Sequence, residues 1–340
     1  MEHVLVTICG RAGSKGFKNK NLKIFDGLPL SHYSLAAAKL FERQNPQLSV
    51  DICLNTDSEL LINTVVEKYP EVSVLRRPQE LCGDVVPKMM VYQHSLREME
   101  RRTGQRYAHL IDLDITSPLR QEQDVSGAYA EKLRRPELDL VFSVCPARRT
   151  PYFNMAKLED GLAKRVIDHH FTARQQTPPV YDLNASIYVF ERAFLLENET
   201  GFLWDGKCGI YQMFDTGIID IDSEEDYRLM EAIARHLYAA MPSFGAVRDA
   251  VRKQAPGAVL QGWKRRRGTR PGAGCIWQKA AGRVCLPGPR RPGVGPGRTP
   301  GLRLAKRPVT CMHLQRAGRF GRPRWRCKRG TWREAVKTRP

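Results

Sequence analysis

The chain has 340 residues, is 42% apolar and carries a net charge of +19, but that charge is unevenly placed. Residues 246–340 hold 26 Lys and Arg against only Asp249 and Glu334, whereas residues 1–245 hold 29 basic against 34 acidic residues. The basic excess therefore does not characterise the first 245 residues, and no apolar run approaches the roughly 18 residues of a membrane span.

Met1-Glu2-His3 runs straight into a strand, which is not the pattern of a signal peptide. Cys9, Cys53, Cys82, Cys145 and Cys208 are scattered, mostly in apolar strands, where a thiol behaves as a small hydrophobe, and a reducing cytoplasm fits them. Cys275, Cys285, Cys311 and Cys327 contain no C-x-x-C pair, which argues against a zinc site.

The first element is the apolar strand Val4-Leu5-Val6-Thr7, which breaks into Gly10, Gly13 and Gly16 threaded with Arg11, Lys15, Lys18 and Lys20. Glycines let the backbone approach an anion, exposed N–H groups then point at its oxygens, and the cations neutralise it. There is no G-x-x-x-x-G-K-[ST], which argues against a P-loop kinase or ATPase, and the G-x-G core of a dinucleotide fingerprint is missing. The stretch reads as the triphosphate loop of a nucleotide enzyme.

Pro29 opens a helix through Leu40 whose alanines favour that state. Strand Asp51–Asn55 follows, then a helix start at Thr56-Asp57-Ser58, strand Val72–Leu75, and a helix from about Pro87 to Arg102. Strand and helix alternating at this spacing imply a parallel sheet with crossover helices, whose ligands sit at the carboxyl ends of the strands. Strand Tyr107–Asp114 ends in acids and a proline turn, and Asp139–Cys145 is the next strand. Residues 146–183 form an excursion from the sheet, rich in arginine, aromatics and proline, in which His169 and His170 read as surface or interface residues rather than metal ligands. Strand Ser186–Phe190 restores the pattern. Extended Gly217–Asp222 then leads into a helix with a Ser223-Glu224-Glu225-Asp226 first turn, where acids meet the positive end of the dipole.

Asp220 and Asp222 lie two apart on an extended segment and so share a face. They are hard oxygen ligands suited to Mg²⁺, although alternating aspartates also describe the wet face of a strand.

Residues 246–340 also hold four of the five Trp and show no hydrophobic period, so disorder is expected after about residue 245. Arg, Gly, Pro, Trp and Cys together are what GC-rich codons give when read out of frame, which would leave this tail without a selected role. The competing reading is a basic arm with interleaved aromatics that binds nucleic acid.

Four segments in order, Arg11-Ala12-Gly13-Ser14-Lys15-Gly16 with Lys20-Asn21, Thr116-Ser117-Pro118-Leu119-Arg120, Arg174-Gln175-Gln176 with Asn184-Ala185-Ser186-Ile187-Tyr188, and Asp220-Ile221-Asp222, resemble the motifs of the acylneuraminate cytidylyltransferase family over about residues 3–240. The resemblance implies an α/β nucleotidyltransferase with a mostly parallel, Rossmann-like sheet, forming a homodimer through an excursion such as 146–183. It also implies activation of a nonulosonic acid by a nucleoside triphosphate, with Mg²⁺. Arg11 and Lys20 would offset phosphate charge, Asp220 and Asp222 would hold the metal, and Asp222 would receive the hydroxyl proton. Gly13, Ser14, Lys15, Gly16, Asn21 and Arg77 would bind the nucleotide, and Arg174, Gln175 and Asn184 the sugar acid.

One position departs from the family pattern: Asp114 stands where a Gln is usual. A carboxylate accepts only, which suits the adjacent N–H donors of guanine, so GTP is expected to compete with CTP, as in relatives that make GDP-legionaminic acid. A 3-deoxy-octulosonate cytidylyltransferase is the nearest alternative. A nucleic-acid-binding protein driven by the tail is the non-enzymatic one.

Overall fold

In the computed structural model, residues 1–13, 17, 19–83, 85–214 and 221–254 are described, together with the backbone of 263–265 and 277–279. The elements in chain order are β1 (Glu2–Gly10), β2 (Ile24–Phe25), β3 (Leu28–Pro29), α1 (Leu30–Gln44), β4 (Leu48–Thr56), α2 (Glu59–Val66), β5 (Ser73–Arg76), α3 (Lys88–Thr103), β6 (His109–Leu113) and α4 (Asp124–Arg134). They continue with β7 (Leu140–Pro146), β8 (Ala156–Glu159), β9 (Leu162–Arg165), β10 (Tyr181–Glu191), α5 (Arg192–Glu197), β11 (Cys208–Gln212), α6 (Glu224–Ala240), α7 (Pro242–Gln254), β12 (Trp263–Arg265) and β13 (Trp277–Lys279).

Seven strands form one sheet in the order β11-β7-β10-β6-β1-β4-β5. β10 runs antiparallel to both its neighbours and every other pairing is parallel, so the mostly parallel sheet expected from the alternating elements is present. β1 lies centrally, and its residues Val4 to Ile8 are fully buried, as a strand covered on both faces requires. Val4, Val6 and Ile8 pack on one face with residues of α1, α2, α4, α6 and α7, while Leu5 faces Met89, Tyr92, Leu96 and Met99 of α3. The carboxyl ends of β1, β4, β5 and β6 thus open on one edge of the sheet.

Ser58 caps α2 by accepting from the Leu61 N–H, and Ser223 caps α6 by accepting from Asp226 N–H at 3.1 Å. Residues 147–180 leave the sheet, carrying the β8–β9 hairpin and a short 3-10 turn, Arg174–Gln176; the excursion is shorter than the expected 146–183, because Tyr181, Asp182 and Leu183 of β10 already pair with Pro146, Cys145 and Val144 of β7.

The extended segment expected over 217–222 lies outside the described residues except for Ile221 and Asp222. One further expectation needs revision. The helical part continues past residue 245, because α7 runs to Gln254 and buries Phe244, Val247 and Val251, three positions on one helical face. Beyond it, β12 and β13 pair antiparallel. The chain divides into two units at Ala281/Gly282, and the second, Gly282–Pro340, lies wholly outside the described residues. The expectation of a disordered tail lies outside them too, apart from these elements.

Candidate active site

The site starts where β1 ends. A Cβ on Gly10 would stand 2.7 Å from Leu61 Cδ2 and 2.8 Å from Ile115 Cδ1, so only bare backbone lets the strand turn here. Gly13 follows with φ +72°, the left-handed region that a side chain disfavours. The turn is tied down on two sides: Ala12 N–H donates to Asp57 Oδ1 at 2.6 Å, and Asn21 Nδ2 donates to the Arg11 carbonyl at 3.1 Å. Ser14, Lys15 and Gly16, expected at the nucleotide, lie outside the described residues.

Lys20 and Asp222 are 202 positions apart in sequence, yet Lys20 Nζ donates to Asp222 Oδ1 at 3.0 Å. Asp222 immediately precedes the cap of α6 and its side chain is 73% exposed. The glycine loop and the acidic segment therefore meet. Asp220, its expected companion, lies outside the described residues.

Arg77, at the end of β5, donates through Nε to Asn55 Oδ1 at 2.9 Å and through a terminal nitrogen to the Asn55 carbonyl at 3.0 Å. Asn55 is itself fixed by donating to Ser95 Oγ at 2.8 Å. This aims the guanidinium along the carboxyl edge of the sheet, with donors to spare.

A charged cluster that the sequence did not announce lies beside it. Asp112 is fully buried and accepts from Thr7 Oγ1 at 3.0 Å, Tyr92 OH at 2.7 Å and Lys88 Nζ at 3.2 Å. Lys88 Nζ also donates to Asp114 Oδ2 at 2.8 Å, and Asp114 Oδ1 accepts from both N–H and Oγ1 of Thr116 at 2.8 Å. Burial raises the Asp114 carboxyl, but the Lys88 ammonium and the Thr116 donors outweigh it and hold the group below its ordinary range. Burial likewise lowers Lys88, and its two carboxylates outweigh that, leaving it well above the lysine range. The signal for Asp112 was an acid in mid-strand between Ile111 and Leu113; Lys88 carried none beyond its place after Pro87.

Arg120, from the Thr116–Arg120 motif, is a structural tie. It is 1% exposed and donates to Ser34 Oγ and to the carbonyls of Asp114 and Ser186, at 3.1, 2.6 and 2.8 Å. Burial brings its guanidinium down to about 10, still charged at neutral pH.

The residues expected at the sugar divide. Arg174 and Gln175 sit exposed on the excursion's 3-10 turn, where Arg174 donates to the Ala147 carbonyl at 2.8 Å. Asn184 is 1% exposed, and its amide is turned inward: Oδ1 accepts from Ser143 Oγ at 2.6 Å while Nδ2 faces Cys145 and Met213 sulfurs. It braces the irregularity of β10 between Leu183 and Tyr188, next to Ala185 at φ +50°. His169 and His170 are exposed, and the His169 ring stacks on Phe171 at 3.9 Å.

A mostly parallel α/β sheet with a cation-bearing glycine turn at its carboxyl edge, faced by an aspartate just ahead of α6, has the architecture of a nucleotidyltransferase. The sequence model of the cytidylyltransferase family matches residues 5–213, and the chain belongs to that family of nucleotidyltransferase enzymes. It is similar to post-translational flagellin modification protein B of Campylobacter coli, at 36% identity over 69% of this chain and 96% of that one. It is similar to the CMP-N,N'-diacetyllegionaminic acid synthase of Campylobacter jejuni, at 38% identity over 68% and 94%. It also matches an N-acylneuraminate cytidylyltransferase of Streptococcus agalactiae at 26% identity, over 65% of this chain and 50% of that one.

Proposed function

We propose that this protein activates a nonulosonic acid of the sialic or legionaminic type by transferring a nucleotidyl group to it from CTP. The sugar's anomeric hydroxyl attacks the α-phosphate, a new P–O bond forms, the bond to the β-phosphate breaks, and pyrophosphate leaves. The observation that carries this reading is the contact between Lys20 and Asp222, which joins a cation-rich turn to an acid.

Arg11 and Lys20 offset the charge of the phosphates, and backbone N–H groups of the turn add to them. Asp222 receives the hydroxyl proton at its carboxylate. Mg²⁺ would be held by Asp222 with Asp220. Asp222 fits such an ion, since its exposed hard-oxygen carboxylate already holds one positive charge, the Lys20 ammonium, at 3.0 Å. When bound, the metal would add positive charge against the triphosphate. Arg77 serves the nucleotide, and Arg174, with Gln175, is the cation offered to the sugar's carboxylate.

Asp114 bears on the choice of base. Its carboxylate already accepts three protein hydrogen bonds, so it is a weaker acceptor for guanine N–H groups than an unpaired aspartate would be. This favours CTP and leaves GTP as the competitor to be measured. A second copy of the chain completes the assembly: Leu158 and Leu162 of the β8–β9 hairpin are 78% and 66% exposed, as expected of an apolar surface awaiting cover. The five free cysteines among the described residues suit a cytoplasmic enzyme, and no described helix is long and apolar enough to cross a membrane.

The test is pyrophosphate release from CTP and GTP with neuraminic, legionaminic and pseudaminic acids, for wild type and Asp114→Gln. The reading expects release with CTP and at least one of these acids. No release with any pair overturns it, and a strict GTP requirement overturns the choice of nucleotide.

A further inference from the structure

Three rungs join the glycine turn to the start of α6. Lys20 meets Asp222 at 3.0 Å, Lys23 meets Glu224 at 3.7 Å, and the rings of Phe17 and Tyr227 lie 6.0 Å apart at 47°. On the loop side the rungs stand at positions 17, 20 and 23; on the helix side they fall within six residues.

The middle rung cannot persist during turnover. If Lys20 is to face phosphate and Asp222 is to take a proton, the two must let go of each other. The Lys23–Glu224 rung is long, and its side chains are 34% and 52% exposed, so water and salt screen it. That leaves the aromatic rung. Phe17 is 7% exposed although it belongs to a turn of glycines and cations, and the Lys23 ammonium covers its ring at 4.1 Å from the centroid. Tyr227 is itself held in place: on its own helix its hydroxyl meets Glu231 Oε1 at 3.0 Å and its N–H is bonded to the Ser223 carbonyl, and just beyond the turn its hydroxyl donates to the Ile24 carbonyl of β2 and its ring packs edge-on to Phe25.

We propose that Phe17 and Tyr227 are positioning residues that keep the phosphate-binding turn seated against the Asp222 segment while the Lys20–Asp222 pair opens for the nucleotide. This rests on the nucleotidyl-transfer reading of the same site. Backbone at Gly10 and Gly13 loses more conformational freedom on ordering than backbone that carries a side chain. With one buried ring as anchor, part of that loss is met on folding; without it, each nucleotide must order the turn on binding. The defect therefore falls on the nucleotide and leaves the sugar acid untouched.

The test measures CTP affinity by titration calorimetry without sugar acid, kcat and KM for each substrate, and the thermal midpoint, in Phe17→Ala, Tyr227→Leu, the double variant and Tyr227→Phe. Phe17→Ala is expected to lose about five- to thirtyfold in CTP affinity and in kcat/KM for CTP, with KM for the sugar acid unmoved. Tyr227→Leu matches that loss, the double variant is no worse than either single one, and Tyr227→Phe recovers most of what Tyr227→Leu loses. Unchanged CTP affinity in Phe17→Ala, losses that multiply in the double variant, or a fall in thermal midpoint with no change in CTP affinity overturn the proposal. If the wild type binds CTP but turns over no sugar acid, the transfer reading fails and the affinities alone decide this one. If it binds no CTP, both fall.

Discussion

Replacing Lys88 with Met keeps an unbranched stem of similar length and removes the ammonium that lies between Asp112 and Asp114. Removing one partner of a fully buried pair costs about 3–5 kcal/mol, because the remaining charge is stranded. Lys88 is 42% exposed, so water can enter and screen the two acids, and the expected loss is nearer about 1–3 kcal/mol. At about 2–4 °C per kcal/mol for a folded unit of this size, that corresponds to a thermal midpoint lower by about 2–12 °C. The sign with pH follows from the two shifts. Asp114, held below its ordinary 3.8 by Lys88 against the pull of burial, contributes stability above pH 3.8 that wild type loses as pH falls through the folded value. Lys88, held above its ordinary 10.5, contributes stability that is complete below that pH and is lost only in strong alkali. The variant lacks both contributions, so its deficit is full from pH 7.5 down to about pH 4 and narrows only below pH 3.8, towards pH 2.5. Urea denaturation at pH 7.5 and pH 2.5, with circular dichroism as readout, measures it. No deficit at pH 7.5, or an equal deficit at both, would refute the reasoning, the latter by showing that only the packing of the stem was lost.

Two further outcomes are expected. Asp124 is 2% exposed, and burial lifts its carboxyl to about 6 from the ordinary 3.8, so the proton is held more tightly in the folded state. Its contribution is complete below pH 3.8 and is lost as pH rises through 6, about 3 kcal/mol in all; Asp124→Asn should therefore melt higher than wild type at pH 8 and lose that advantage by pH 4 in scanning calorimetry. Truncation separates the tail from the fold: removing residues 255–340 should leave thermal stability unchanged, whereas removing 246–340 takes away the buried Val247 and Val251 of α7 and should cost several kcal/mol in the same assay.

Much of this architecture is legible in the sequence because the strands are apolar runs and the helix starts are signed by Ser58 and Ser223. What escaped did so for identifiable physical reasons. β11 and α4 contain Gly209 and Gly127, which read as breakers in isolation. In the structure they are packing positions: a Cβ would lie 2.5 Å from Tyr211 Cε2 at Gly127 and 2.3 Å from Leu138 Cδ1 at Gly209, so α4 meets β11, and β11 meets the connection before β7, only through bare backbone. α7 was hidden by the composition of the chain that follows it. In the site, the coupling of Lys20 to Asp222 follows from the ordered motifs and the rule that parallel sheets bind ligands at their carboxyl edge. The inward turn of Asn184 does not, since its partners Ser143, Cys145 and Met213 come from β7 and the stretch after β11, and only the pairing of β10 with β7 brings Ser143 and Cys145 to it. Lys88 is of the same kind, a cation whose meaning depends on two acids that a neighbouring strand delivers.

The central claim is that the glycine turn and the Asp222 segment work as one site. The most direct measurement is pyrophosphate release from CTP and a nonulosonic acid by Lys20→Met and Asp222→Asn, beside a thermal melt of each. Both pair partners are exposed enough that the fold should tolerate the changes, so the account predicts melts close to wild type and turnover lower by about 10²-fold or more. Wild-type turnover in either variant would contradict it.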